Sequence, residues 1–158
     1  MFEDRSPIIT PSPIAGWHDG LLLGYGPMDR AHEEFVGLIA EFEHASRAGA
    51  DLEPALGALA AHARDHFDIE NAWMVESDFP ARDCHIAEHD AVLRSIDGVR
   101  HLLAQGEPAP TQALAHELAA WFPAHCDYLD AALAHWLCKR RFGAKPVVMR
   151  RRLHATAA

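Results

Sequence analysis

The stretch CHIAEHDAVLRSIDGVRHLL, residues 84–103, carries two signals at once. Val92, Ile96, Val99 and Leu103 recur at steps of three and four, the period of a helix with one apolar face. His85 and His89 extend the same stripe toward the N-terminus, so imidazoles stand where a dry core is expected. A polar group buried without a partner is unfavourable by roughly 2 kcal/mol or more, so this face needs hydrogen bonds or a metal.

Three further stripes repeat the pattern. Residues 28–48 show Met28, His32, Phe35, Val36, Ile39 and Phe42. Residues 52–77 show Leu56, Leu59, Ala63, His66, Phe67, Glu70 and Met74. From Thr111, which reads as an N-cap, follow Leu114, Leu118, Trp121, Phe122, His125, Leu129, Leu133 and Trp136. Gly49 with Asp51, Pro80, and Gly106 with Pro108 and Pro110 separate the four segments. No segment alternates like a strand. Four amphipathic helices with short connections predict an all-α fold, an antiparallel up-down-up-down four-helix bundle whose helices are each about 30 Å long. The expected organisation is an irregular arm over 1–27, the bundle over 28–138 and a basic tail over 139–158. Trp17 and Leu21–Leu23 are expected to pack the arm's second half on the body.

Composition narrows the function. The 158 residues suffice for one domain. Half of the 14 basic residues lie after position 138, where there is no acid, so residues 1–138 hold 23 acids against 7 bases, a net of −16. An acidic body argues against nucleic-acid binding by the bundle, whereas the tail could touch nucleic acid, a membrane or a partner, the favoured reading being a disordered solubilising end or a basic strand lying on the acidic body. No apolar run is long enough to span a membrane and no leader pattern is visible. The three cysteines, Cys84, Cys126 and Cys138, make no disulfide framework, which together predicts a cytoplasmic protein. The 12 histidines are spread along the chain and direct attention to metal.

Residues four apart on a helix lie on one face about 6 Å apart along the axis, so His66 with Glu70, and His85 with His89, can each reach one centre. His62 shares this spacing with His66 but is expected not to be a ligand. His125 and Asp130 fit less well: five residues turn an ideal helix by about 140° beyond a full turn, and regular spacing selects Leu129 instead. Either Asp130 reaches in from the flank, or the helix is locally wide, as in a π-bulge.

These runs together resemble the hemerythrin and bacteriohemerythrin family. The resemblance rests on Met28-Asp-Arg-Ala-His32, His66-Phe-Asp-Ile-Glu70, Phe79-Pro80, His85-Ile-Ala-Glu-His89 and Trp121-Phe-Pro-Ala-His125-Cys-Asp-Tyr-Leu-Asp130. It covers about residues 17–137. It implies two iron ions with an oxo or hydroxo bridge. One would be held by His85, His89 and His125, the other by His32 and His66, and Glu70 and Asp130 would bridge both. Dioxygen would bind at the second iron, which keeps an open position. Phe35, Val36, Ile69, Trp121, Phe122 and Leu129 are expected to line a dry dioxygen pocket. Against the family pattern, Phe122 replaces a common leucine, Pro123 interrupts a helix, and Asn71 replaces a frequent glutamate on what is expected to be an outer face.

The favoured function is reversible dioxygen binding for carriage, storage or delivery, without catalysis. The competing functions are an oxygen or redox sensor, with Cys84 and Cys126 beside ligands, and an enzyme reducing peroxide or nitric oxide, with His62 as proton donor. A ferritin-like centre would need Glu-x-x-His on two helices. Only Glu41-Phe-Glu-His44 fits, and it lies off the His32 stripe.

Overall fold

Residues 16–150 are described in the computed structural model, and four antiparallel rods account for most of them. Helix α1 spans Gly26–Ala48, α2 Glu53–Glu76 and α3 Arg82–Ala104. The fourth rod starts as α4, Pro110–His125, widens into a π-turn at Cys126–Asp130, and continues as α5, Ala131–Phe142. No strand occurs among the described residues. α1 packs on α2 and α4, and α3 closes the ring against the same two helices. Residues 1–15 of the expected arm and 151–158 of the expected tail lie outside the described residues.

Local chemistry explains the boundaries. α1 begins at Gly26, two residues before the apolar stripe, because Pro27 suits a first turn, where its missing N–H leaves no bond unmade. The Asp29 carboxylate accepts bonds from the Leu23 and Gly24 amides at 2.7 and 3.0 Å and ties the arm to this helix. Gly49 ends α1 at φ 63, a left-handed geometry that glycine adopts without a Cβ clash. Thr111 is not the N-cap of α4: the helix starts at Pro110, and the buried Thr111 hydroxyl donates to the Pro108 carbonyl at 2.6 Å.

The apolar stripes meet in two clusters. The larger holds Phe35, Ile39, Leu59, Phe67, Ile96, Leu118 and Phe122, with Leu21 and Trp17 of the arm packed on it. The smaller holds Tyr25, Met28, Met74, Phe79 and Leu133. Each buried side chain of this size stabilises the fold by about 1.5–3 kcal/mol. Along α1, His32 falls between Met28 of one cluster and Phe35 of the other; along α2, Glu70 falls between Phe67 and Met74. The polar residues of the stripes therefore form a layer sealed by apolar packing on both sides.

Candidate metal centre

Seven side chains meet in that layer: His32 from α1, His66 and Glu70 from α2, His85 and His89 from α3, His125 from α4 and Asp130 from the π-turn. None is more than 4% exposed. The fourth rod solves the five-residue spacing by widening. The Ala131 amide bonds the Cys126 carbonyl five residues back, and this extra residue returns Asp130 to the face that carries His125. The rod also stays helical through Pro123, which forgoes the amide bond to Ala119.

The carboxylates divide their oxygens. Glu70 Oε1 lies 2.9 Å from His66 Nε2 and 3.3 Å from His32 Nε2, while its Oε2 lies 3.3 Å from His89 Nε2 and 4.0 Å from His85 Nε2. Asp130 Oδ2 lies 3.2 Å from His32 Nε2, and its Oδ1 lies 3.0 and 3.2 Å from the Nε2 atoms of His85 and His125. Glu70 Oε2 and both Asp130 oxygens nevertheless have no aligned hydrogen-bond donor.

The histidines are equally unsatisfied. His125 Nδ1 faces Glu88 Oε2 at 3.0 Å, and a carboxylate only accepts, so that nitrogen carries the proton. His125 Nε2 is left with a lone pair, yet it points at His85 Nε2 and His89 Nε2 at 3.1 and 3.2 Å. His89 Nδ1 lies 2.8 Å from Asn71 Oδ1, an arrangement that again leaves Nε2 as the bare atom. Ligands at about 2.1 Å from one ion and at right angles stand about 3 Å apart, the separation found between these donors. Imidazole and carboxylate suit divalent iron, so the residues fit a non-haem iron site.

Electrostatics fit the same conclusion. Burial and the neighbouring Asp130 charge oppose ionisation of Glu70, but contacts with His32, His66 and His89 outweigh them and hold its carboxyl below the ordinary range. Burial likewise opposes Asp130, and His125, His32 and His85 hold it well below. Burial disfavours the charged form of His32, yet Asp130, Cys126 and Glu70 raise it well above its usual value. His125 is raised too, against burial, by Asp130 and Glu88. Burial lowers His89. The layer thus keeps two carboxylates ionised in an apolar interior and balances them with whatever cations are at hand, protons or metal.

Three supporting residues escape helical periodicity. Glu88 and Asn71 orient His125 and His89, and Asn71 is half-buried at the site rather than on an outer face. Cys126 Sγ lies 3.7 Å from His32 Nδ1 and 3.6 Å from the Leu21 carbonyl, linking the arm to the imidazole. Adjacency to His89 and to His125 was the available signal for Glu88 and Cys126; nothing in the spacing marks Asn71. Cys84, beside His85, is exposed.

The expected pocket residues separate into groups. Phe35, Val36 and Phe122 are fully buried, with the Phe122 ring edge-on to His32 at 5.1 Å and Phe35 edge-on to His66 at 5.5 Å. Trp121 is partly buried and packs on His125 at 4.4 Å, beside the three-histidine group. Leu129 is partly buried. Ile69 is 51% exposed, so it lines a surface cleft with Arg30 and Trp73 instead of a dry wall, and His66 and Glu70 border the same cleft. His62 sits outside the cluster: its Nε2 meets the Ala31 carbonyl at 3.1 Å and its ring stacks on Phe35 at 5.7 Å. His44 is exposed.

A family described as Hemerythrin HHE cation binding domain matches residues 23–137. The chain is similar to a bacteriohemerythrin of Ralstonia nicotianae, 40% identical over 128 residues, covering 81% of this chain and 92% of that protein. No solved structure matches it.

Proposed function

The chain belongs to the hemerythrin family, and from that premise we propose that it binds dioxygen reversibly at a pair of irons. The observation that carries this reading is the convergence of the Nε2 atoms of His85 and His89 on that of His125, at 3.1 and 3.2 Å, beside oxygens of Glu70 and Asp130 that have no aligned donor. Glu70 and Asp130, each dividing its two oxygens between this group and the His32 and His66 pair, support two ions rather than one. By this division His85, His89 and His125 with one oxygen of each carboxylate would hold one ion, and His32 and His66 with the other oxygens would hold the second. The two-histidine group offers one protein ligand fewer than the three-histidine group, so an ion held there would be the one with room for dioxygen.

Two ferrous ions, when bound, would supply the two electrons that dioxygen takes up. The protein's part is to hold the donors and keep the site dry. Phe35 and Phe122 stand edge-on over the His66 and His32 rings, and Val36 is fully buried with them, so water is displaced from that face of the two-histidine side, while His66 and Glu70 also border the surface cleft of Arg30, Ile69 and Trp73. Phe67 stacks on His89 at 4.1 Å and Trp121 covers His125, which closes the three-histidine side. A dry surround favours release of dioxygen unchanged over loss of a reduced product to solvent. Carriage, storage or delivery follows from such reversibility, in a protein whose described helices include none long and apolar enough to cross a membrane.

The test is spectroscopic. Protein loaded with ferrous iron in the absence of air should develop a visible charge-transfer band with dioxygen and lose it when the gas is removed, over repeated cycles. Direct conversion to a ferric spectrum in the first cycle, with peroxide consumed on addition, would assign the site to reduction chemistry instead.

A further inference from the structure

The end of the bundle where α2 turns into α3 and α5 finishes carries a second surface. Beyond α5 the chain turns at Gly143 and runs back across the arm. A Cβ on Gly24, whose φ is 81°, would lie 3.0 Å from the Pro146 Cβ and from the Val147 carbonyl oxygen, so the segment is seated closely on that glycine. Seated there, it presents its side chains outward. Phe142 is 65% exposed, Val147 77% and Met149 84%. Lys139, Arg140, Arg141, Lys145 and Arg150 are exposed among them.

These cations are not neutralised by the protein. The ion pairs of Arg47, Arg64, Arg82 and Arg100 join body residues to body carboxylates, whereas none of the five forms an ion pair among the described residues. Residues 139–150 therefore meet the body by packing on Gly24 and not through ion pairs among the described residues. Arg140 and Arg141 lie over the Trp136 and Phe142 rings instead, each 5.4 Å from the ring centre. Alongside runs an open groove of about 620 Å³, floored by Phe79, Pro80 and Trp136 and rimmed by His135, Lys139 and Arg140.

We propose that this face binds the surface of an anionic lipid bilayer. Unpaired cations interleaved with exposed aromatic and aliphatic side chains match a boundary that is anionic outside and apolar beneath. Trp136, with its ring beside the groove and its Nε1 donating to Ser77, has the amphipathic character of a residue at a lipid–water interface. A nucleic acid would use the cations but would leave Val147 and Met149 in water. Charge segregation sets the orientation: the acidic remainder of the chain is repelled by the anionic surface, so the basic end faces it. The contact is peripheral and does not depend on the metal centre.

The test uses the full iron-loaded chain with phosphatidylcholine vesicles prepared with and without phosphatidylglycerol. Co-sedimentation is expected only with phosphatidylglycerol present, and it should fade as salt shortens the screening length from about 8 Å at physiological strength to about 3 Å at 1 M. Replacing Lys139, Arg140 and Arg141 together by Ala should weaken partitioning about a hundredfold. Phe142→Ser with Met149→Ser should weaken it about tenfold. All five positions are exposed, and unchanged helical circular dichroism checks that each variant folds. Absence of partitioning at low salt, indifference to either set of substitutions, or tighter binding to duplex DNA than to vesicles would overturn the proposal.

Discussion

Replacing Glu88 by Ala should weaken metal binding while leaving the metal-free fold nearly intact. Its Oε2 lies 3.0 Å from His125 Nδ1, and this contact fixes both the tautomer and the direction of the Nε2 lone pair. Carboxylates in this position are typically worth 10–100-fold in metal affinity, about 1.4–2.7 kcal/mol. The Glu88 side chain is 50% exposed, which screens its charge, and Asp130 and Trp121 still hold the His125 ring after the change. The expected loss is therefore at the lower end, about tenfold. Glu88→Gln keeps an acceptor without the charge and should lose only about threefold. Competition titration of the metal-free protein with ferrous iron, and with cobalt(II) as an air-tolerant substitute, measures both losses against a chelator of known strength. The melting temperature without metal should shift by no more than about 4 °C, as befits a half-exposed pair. Unchanged affinity in the Ala variant, or a Gln variant as damaged as Ala, would refute the orienting role.

Three other outcomes follow from the geometry. Cys126→Ser should retain iron but alter the visible spectrum and accelerate loss of the reduced form, because the shorter hydroxyl cannot span both His32 Nδ1 and the Leu21 carbonyl; alkylation kinetics of the native thiol should show protection until the protein unfolds. Phe122→Ala should destabilise the metal-free protein by about 3–5 kcal/mol in chemical denaturation, since the fully buried ring contacts both His32 and Phe35. Phe122→Leu should recover most of that stability and raise the rate of autoxidation through a looser pocket. Stability of the metal-free protein should pass through a maximum with pH. Glu70 and Asp130, lowered in the fold, contribute fully above about pH 4 and lose that contribution as pH falls through their folded values; His89, also lowered, adds to the acid-side loss below about pH 6.5. His32 and His125, raised in the fold, contribute below about pH 6.5 and lose it as pH rises through theirs. Monotonic stability across that range would contradict the assignment of charges in the layer.

Much of this molecule was legible in the sequence because helix burial is periodic. The stripes of α1 to α3 and the positions of His32, His66, Glu70, His85, His89 and His125 within them follow from 100° per residue. Asp130 was legible as an anomaly, and the choice between a flank position and a widened turn required the backbone. Ile69 misled for a related reason: it lies 60° from His66 and 100° from Glu70, just past the edge of the buried arc, where a small error in helix rotation separates core from solvent. Asn71 and Glu88 were not legible as partners because their contacts cross between helices, to His89 and His125 respectively, and no single-helix period encodes the rotation of one helix against another. The arm expected over 1–27 ends two residues earlier, because α1 starts at Gly26 and its first turn accepts Pro27.

The broken ladder of the fourth rod has a dynamic consequence. Pro123 leaves the Ala119 carbonyl without its helical bond, and the turn that follows pairs residues five apart instead of four. Two interruptions within a dozen residues make this stretch the weakest part of an otherwise continuous helix, so backbone amides near Tyr128 should exchange with solvent well before those in the middle of α2 or α3. That seam separates His125 from Asp130, two donors of one cluster. An ion held between them would act as a splint, and the same opening that lets the metal in would, once the ion is seated, become the motion that the ion suppresses.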